Sequence, residues 1–443
     1  MRRQQKISAR KSEQGIIITL VAVFMLGVIG AMAALSIDVV TIYTARSEAQ
    51  LAADSAALAG ARVLANSGMT SDTNGGMTSN AEAAALAVAT QVAASNAVGG
   101  RLLNSGGKAC TAGQEISVCF TNDATPATNP HVTVTVQRTD LPTFFARIWG
   151  RTQLTVAAAA TAEAYNPSPA ATATTNTAPP VAPICVKPWL LPNMDPSGGS
   201  TIFTPSTGVI TNPNLLGWTS TTANNATKLS TVCPAGNCNG TAPMRWRYYP
   251  GDQASFPAPA TFPNCTTPLS TPYEESIAGC VQTAIACNDN ANVTVDFTAY
   301  PNRNLEATDA VNCLTHATNG GGGDTLTVTG GPPPTSPFEF VAGADNPIAG
   351  VSPNDVTISN SLVTVPVFDS TAGAPTTKPV QIIGFVQLFL NPDGRATRTF
   401  GPNRYFVPTT IVNMVGCGTG AIGTSPILGN GASPVAVRLI TPP

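Results

Sequence analysis

The sequence predicts an α+β protein. An N-terminal transmembrane helix is extended by an Ala-rich helix onto a small antiparallel sheet, and a mainly β domain containing disulfides follows. Three observations carry that prediction. Residues 15–37 form an uncharged apolar run, and residues 38–64 continue it with strong helix formers. The remainder is broken into short β runs and Gly/Pro loops, and all ten cysteines lie beyond the apolar run.

The apolar run GIIITLVAVFMLGVIGAMAALSI would extend about 34 Å as a helix, enough for a hydrocarbon core roughly 30 Å thick. Five of the 22 basic residues (Arg2, Arg3, Lys6, Arg10 and Lys11) precede it. Such a cluster stays on the cytoplasmic side, so residues 1–14 are expected inside and everything after Asp38 outside. A cleaved secretory signal is the alternative reading. Its apolar region is usually shorter, though Ala31, Ala33 and Ala34 would suit a cleavage site.

Residues 38–64, DVVTIYTARSEAQLAADSAALAGARVL, contain no Pro and one late Gly. Ala, Leu, Glu, Gln and Arg favour continuation of the helix. Val40, Leu51, Leu58 and Ala61 are expected to form its apolar stripe. Asp54 lies near that stripe and reads either as a solvated carboxylate or as a contact for another subunit.

Ser79 and Glu82 have the spacing of a capping box before an Ala-rich helix running to Val98, with Gly99 and Gly100 as its stop. A sheet of three or four strands is expected over residues 116–162. Val132, Val134 and Val136 alternate with polar residues, which gives one buried face. Residues 166–183, NPSPAATATTNTAPPVAP, read as an extended linker.

The organisation that follows is 1–14 cytoplasmic, 15–37 transmembrane, 38–165 helix-plus-sheet domain, 166–183 linker and 184–443 β-rich exported domain. In that last part, β runs recur at residues 293–297, 326–328, 356–358, 363–367, 382–390, 405–411 and 435–440, which favours a mainly antiparallel arrangement. One helix is expected there, opened by Thr271 at N-cap, Pro272 at N1 and Glu274 at N3.

An even set of cysteines on the exported side points to disulfides. Cys110 with Cys119 is the nearest local pair, and Cys233 with Cys238 can close across a Pro-Ala-Gly turn. Cys280 and Cys287, two turns apart on the expected helix, are too distant to bond each other. Each is expected to pair elsewhere, for example with Cys265 or Cys313. The rival reading is a zinc site from Cys233, Cys238, Cys313 and His316, but its spacing is loose.

Catalytic motifs do not emerge. The sequence has two histidines, and no nucleophile elbow, phosphate-binding loop, dinucleotide fingerprint or HExxH helix. Asp289 and Asn290 form only part of a calcium-loop pattern. No cofactor, metal or catalytic residue is assigned. Only 10% of residues are charged, against about a quarter in typical soluble domains, and the body beyond the basic N-terminus is mildly acidic. That balance gives no footprint for nucleic acid.

Residues 14–61 resemble the N-terminal segment of the TadE/TadG-like family of Flp (Tad) pilus assembly. A glycine opens the apolar span, Asp38 stands at its exit, a β-branched and aromatic stretch follows, and the string LAADSAALAGA occupies residues 51–61. Residues 131–165 (HVTVTVQRTDLPTFFARIWGRTQLTVAAAATAEAY) resemble the family's strand, turn-and-helix and closing strand. Residues 363–390 (VTVPVFD through IIGF) resemble the ending of longer TadG-like proteins.

The resemblance implies a pilin-like plan and a non-catalytic, membrane-anchored structural or assembly protein of a Flp (Tad) type pilus or related secretion apparatus. Its partners would be the bacterial inner membrane and other pilin-like subunits, with Leu51, Ala52, Asp54, Ala56, Leu58 and Ala59 as candidate helix contacts. Gly15 is the candidate cleavage position, although Leu20 stands where pilin-type processing usually has Glu. Many TadG-like proteins also carry an Asp-x-Ser-x-Ser metal site. The nearest string here, Asp195 to Ser200, has one residue too many and reads as a Pro/Gly turn. The alternative function is an exported surface adhesin or ligand-binding ectodomain unrelated to pili.

Overall fold

The computed structural model describes residues 10–66, 79–104, 106–122, 129–165, 181–195, 200–205, 208–218, 229–230, 248–265, 267–286, 293–296, 303–316, 322–330, 338–356, 358–371, 379–390, 398–399, 405–417, 427–428 and 434–440. Cys233, Cys238, Cys287, Asp289 and most of the 166–183 linker lie outside them.

The first part comprises α1 (Arg10–Asn66), α2 (Ser79–Ala94), β1 (Ala97–Val98), β2 (Arg101–Leu102), β3 (Lys108–Ala109), β4 (Ile116–Asn122), β5 (Pro130–Pro142) and β6 (Gln153–Tyr165). Next come β7 (Val181–Ala182), β8 (Trp189–Pro192), β9 (Leu229–Ser230), β10 (Tyr249–Pro250), α3 (Pro272–Ala278) and α4 (Arg303–Leu314). The strands β11 (Thr325–Thr327), β12 (Glu339–Val341), β13 (Asp355–Val356), β14 (Leu362–Phe368), β15 (Ile382–Leu390) and β16 (Arg398–Thr399) follow. The chain closes with β17 (Tyr405–Val407), β18 (Thr409–Gly416), β19 (Ile427–Leu428) and β20 (Ala436–Ile440).

As expected, the apolar run and the Ala-rich segment form one continuous helix, α1, of 57 residues. At 1.5 Å per residue it is about 86 Å long. Its first half projects from the body, with Ile16, Phe24, Leu26, Ile29 and Met32 exposed. Its second half is buried on one face. That face follows the expected stripe only in part: Ala61 is fully buried and Leu58 half-buried, but Val40 and Leu51 are exposed, and Ala45, Ala49, Ala52, Ala53, Ala56 and Ala57 are fully buried in their place. Small side chains let backbones approach closely, so alanines make up most of the face that meets the core, with Leu64 at its end.

The core of the first part is a seam of alanines against a valine sheet. Ala81, Ala85, Ala89 and Ala93 of α2, spaced four apart, are fully buried with the alanine face of α1. Gly60 marks the closest approach. A Cβ there would meet Val132 Cγ1 at 3.0 Å and Ala89 Cβ at 3.3 Å. Below the helices, Val132, Val134 and Val136 of β5 point inward, as their alternation requires. Helix α2 ends at Ala94 and not at Val98. Residues 97–102 instead form a β1–β2 hairpin, turned by Gly99 and Gly100 at positive φ.

The first sheet has five strands in the order β20-β6-β5-β4-β3, larger than the expected three or four. Its extra edge is β20, from the far end of the chain, paired antiparallel with β6 from Ala436↔Tyr165 to Ile440↔Thr161. The run at residues 435–440, assigned from sequence to the second domain, therefore completes the first sheet.

A second five-stranded sheet runs β10-β8-β14-β15-β18, antiparallel except between β14 and β8. All nine residues of β15 are buried because both of its faces are covered. Val386, Leu388 and Leu390 join a core with Ile277 of α3 and with Ala310 and Val311 of α4, while Ile382 and Phe385 join the core that includes the α1 alanines. Asn413 of β18 ties the parts together, donating to Ala65 O at 2.9 Å and to Gln387 Oε1 at 2.6 Å.

The capping box at Thr271 and Glu274 forms, but the helix it starts ends at Ala278, before Cys280. Helix α4 is additional to the single helix expected in this region. Its buried residues are Ala307, Ala310, Val311 and Leu314, half of them alanines set among polar residues, so its apolar signal is weak.

Candidate functional site: the exit of the apolar helix

The apolar half of α1 and the place where it meets the body form the most distinctive feature of the molecule. Across residues 15–37, the described side chains are exposed except Ala34. One turn further along the same face, Asp38 is buried and its carboxylate is fully engaged. Oδ1 accepts the Phe144 amide at 2.8 Å, and Oδ2 accepts the Phe145 and Ala146 amides at 3.1 and 2.7 Å.

The three amides open a single 3₁₀ turn, Ala146–Trp149, in the connection between β5 and β6. Amides at the start of such a turn have no partner within it, so a carboxylate there satisfies them and complements their partial positive charge. The Phe144 amide does most to hold the Asp38 carboxyl below its usual range; burial opposes it, and the Ala146 and Phe145 amides and Arg147 add to the lowering.

The connection is braced elsewhere as well. Thr143 Oγ1 donates to Arg151 O at 2.5 Å, Arg147 Nε donates to Thr143 O at 3.2 Å, and Gly150 closes the turn in the left-handed region. Further from the apolar half, Arg101 bridges Glu115 at 2.5 Å and Asp140 at 3.1 Å. Arg138 donates to the carbonyls of Val98 and Gly99, and Glu48 Oε2 accepts the Gly99 amide at 2.6 Å. Charged side chains thus pin the small hairpin to α1.

The candidate helix contacts divide. Ala52 and Ala56 are fully buried against this chain's own sheet and α2, so they are not available to another subunit. Asp54 accepts Gln50 Nε2 at 2.8 Å, and the same amide donates to Ala159 O of β6 at 3.2 Å. Leu58 and Ala59 are half-buried, and Leu51 stands on the open side of the helix. Gly15 lies within α1 with open space around its Cα.

Three disulfides lie among the described residues: Cys110–Cys119, Cys185–Cys280 and Cys265–Cys313. Cys417 is also disulfide-bonded. Cys280 therefore pairs neither with Cys265 nor with Cys313. It lies beyond the end of α3, where the chain returns to residues 183–187 (Cys185 N donates to Val281 O at 2.8 Å). Cys313 is spent in its bond to Cys265, which removes it as a thiolate for zinc.

Asp195 is buried and accepts Ser200 Oγ at 3.1 Å and Asn212 Nδ2 at 2.8 Å, bonds that close a turn. Among the described residues, no three His, Cys, Asp or Glu side chains converge as a metal site would require.

In the sequence Asp38 is marked only as the acidic residue at the exit of the apolar run, and nothing local points to its partners 106–108 residues later. The signal in the sequence is the string PTFFARIWG, with three aromatic residues and Ile148 in a loop that a soluble protein would keep polar.

Residues 17–63 match the family described as putative Flp pilus-assembly TadE/G-like. The match covers most of the apolar half of α1, Asp38 and the alanine face. No curated protein and no solved structure matches the chain.

Proposed function

We propose that this chain, with its TadE/G-like segment as anchor, is a non-catalytic structural or assembly protein of a Flp (Tad) type pilus or related secretion apparatus. Residues 15–37 cross the bacterial inner membrane with the basic N-terminus in the cytoplasm, and the bulk of the chain lies on the far side. The single observation that carries this reading is the coincidence of the family match with an apolar helix whose side chains, Ala34 apart, are exposed over residues 15–37. In water that surface would associate, whereas in lipid it is solvated.

The disulfides agree with the exported placement, since such bonds persist in oxidising compartments. The partners are other membrane-anchored, pilin-like subunits. They would meet the exposed apolar half of α1 and its open side around Leu51.

Three measurements test this. A periplasm-dependent reporter joined within the linker at residue 183 should be active, and the same reporter before residue 10 should be silent. Deleting the chain should abolish surface pili, and the solubilised full chain should co-purify with pilus-assembly subunits. Normal piliation without the chain, and no co-purifying assembly protein, would favour an adhesin instead.

A further inference from the structure

The connection that Asp38 holds carries an apolar surface of its own. Phe144, Ile148 and Trp149 are 60%, 72% and 64% exposed, and Arg147 and Arg151 stand beside them, also exposed. An aromatic-rich patch on a short, well-braced turn is costly in water, and none of the described residues covers it. Its position is informative. Asp38 is the first charged residue after the apolar run, and three hydrogen bonds fix the turn at that height. The burial of Ala34 shows that the cover over this face extends one helical turn, roughly 5 Å, back into the apolar run.

We propose that the 143–152 connection is a second membrane contact. Phe144, Ile148 and Trp149 enter the headgroup region of the leaflet from which α1 emerges, and Arg147 and Arg151 meet lipid phosphates there. The occupant is lipid because Asp38, at the exit of the membrane-spanning half of α1, holds the connection that carries the patch. Its composition also suits an interface: indole and phenyl rings settle at the headgroup level, and flanking guanidinium groups pair with phosphate. Two contacts, one spanning and one interfacial, fix the tilt and rotation of the body above the bilayer, which a lone helix does not. The open side of α1 around Leu51 is then presented at a constant angle to neighbouring subunits.

The inference rests on the reading of α1 as a membrane anchor, and its test separates the two. The full chain is reconstituted into nanodiscs of phosphatidylcholine and phosphatidylglycerol, with or without bromine at shallow acyl positions. Tryptophan emission is compared between wild type and Trp149→Phe. All three side chains are exposed, so the substitution should leave the fold intact, and circular dichroism checks this.

Bromolipid quenching of the wild type that is lost in the variant is the expected result. Equal quenching of both proteins in loaded discs overturns the lipid contact while leaving the anchor in place. Protection of residues 144–149 that arises only when two chains share a disc assigns the patch to a second copy and overturns it as well. Failure of the chain to enter discs removes the anchor and this contact together.

Discussion

The carboxylate of Asp38 accepts the amide of Ala146 at 2.7 Å, across 108 residues of chain. This bond, with its two neighbours, joins the exit of a long apolar helix to the far end of a β hairpin. Replacing Asp38 by Ala leaves three backbone donors without their acceptor. Hydrogen exchange should accelerate at Phe144, Phe145 and Ala146 by on the order of tenfold or more, while β5 and β6 keep their protection. Asp38→Asn, which retains one acceptor oxygen, should lie between. Unchanged exchange in Asp38→Ala would mean that the turn is held by its Thr143 and Arg147 bonds alone.

The alanine seam predicts a steep cost for added volume. Ala85→Leu or Ala89→Leu forces four carbons' worth of side chain between α1 and α2 where only a methyl fits, and should destabilise by about 1–3 kcal/mol or more. Gly60→Leu should be at least as severe, since even its Cβ would crowd Val132 and Ala89. Leu51→Ser, on the open side, should change stability by less than about 0.5 kcal/mol. Denaturant midpoints of the full chain in detergent would rank the four.

The sequence made the long helix legible because length and absence of charge are local properties. The valine alternation of β5 and the Thr271–Glu274 cap were legible for the same reason. What it hid was pairing. No periodicity in residues 436–440 says that they will complete a sheet begun three hundred residues earlier. The helix face is legible only in part, at Leu58 and Ala61, because hydrophobicity ranks Leu above Ala, whereas close helix–sheet contact selects for size. The role of the 3₁₀ turn under Asp38 is hidden in the sequence because its partner is distant along the chain.

The edge strand β20 carries its own prediction. Glu163 is buried and accepts Asn129 Nδ2 and Arg438 Nε, both at 2.8 Å, and Arg438 also lies over the Tyr165 ring at 4.8 Å. Arg438→Met keeps much of the stem's packing and removes the cation, leaving a buried carboxylate with less compensation. Because the guanidinium is half-exposed, the expected loss is about 1–2 kcal/mol, below that of a fully buried pair. Restoring stability with Glu163→Gln on the same background would identify the uncompensated charge as the cause, and a double-mutant cycle reads this directly.

The disulfides should differ in weight. Cys185 and Cys280 are 95 residues apart in sequence, whereas Cys110 and Cys119 are 9 apart. On the chain-entropy account, removing the first by paired substitution to Ala should cost about 4–5 kcal/mol, and removing the second about 2–3 kcal/mol. Equal losses in urea denaturation would show that native-state packing around the bonds, and not loop length, sets their contribution.

Lys187 gives the pH dependence. Its side chain is buried and donates to Gly279 O at 2.7 Å, and burial pushes its pKa from the ordinary 10.5 down to about 7. Between those values the unfolded chain binds a proton that the folded chain does not. Unfolding therefore takes up a proton, and stability rises with pH across the window from about 7 to 10.5. Below about 7 both states are charged, and the full burial penalty is constant. Lys187→Met, of similar length and without the charge, should flatten this contribution and raise stability most at or below neutral pH. Denaturation at pH 6.5 and pH 9 for both proteins measures it. A wild-type midpoint that falls over this range, or a variant with an undiminished slope, would place the titration elsewhere in the molecule.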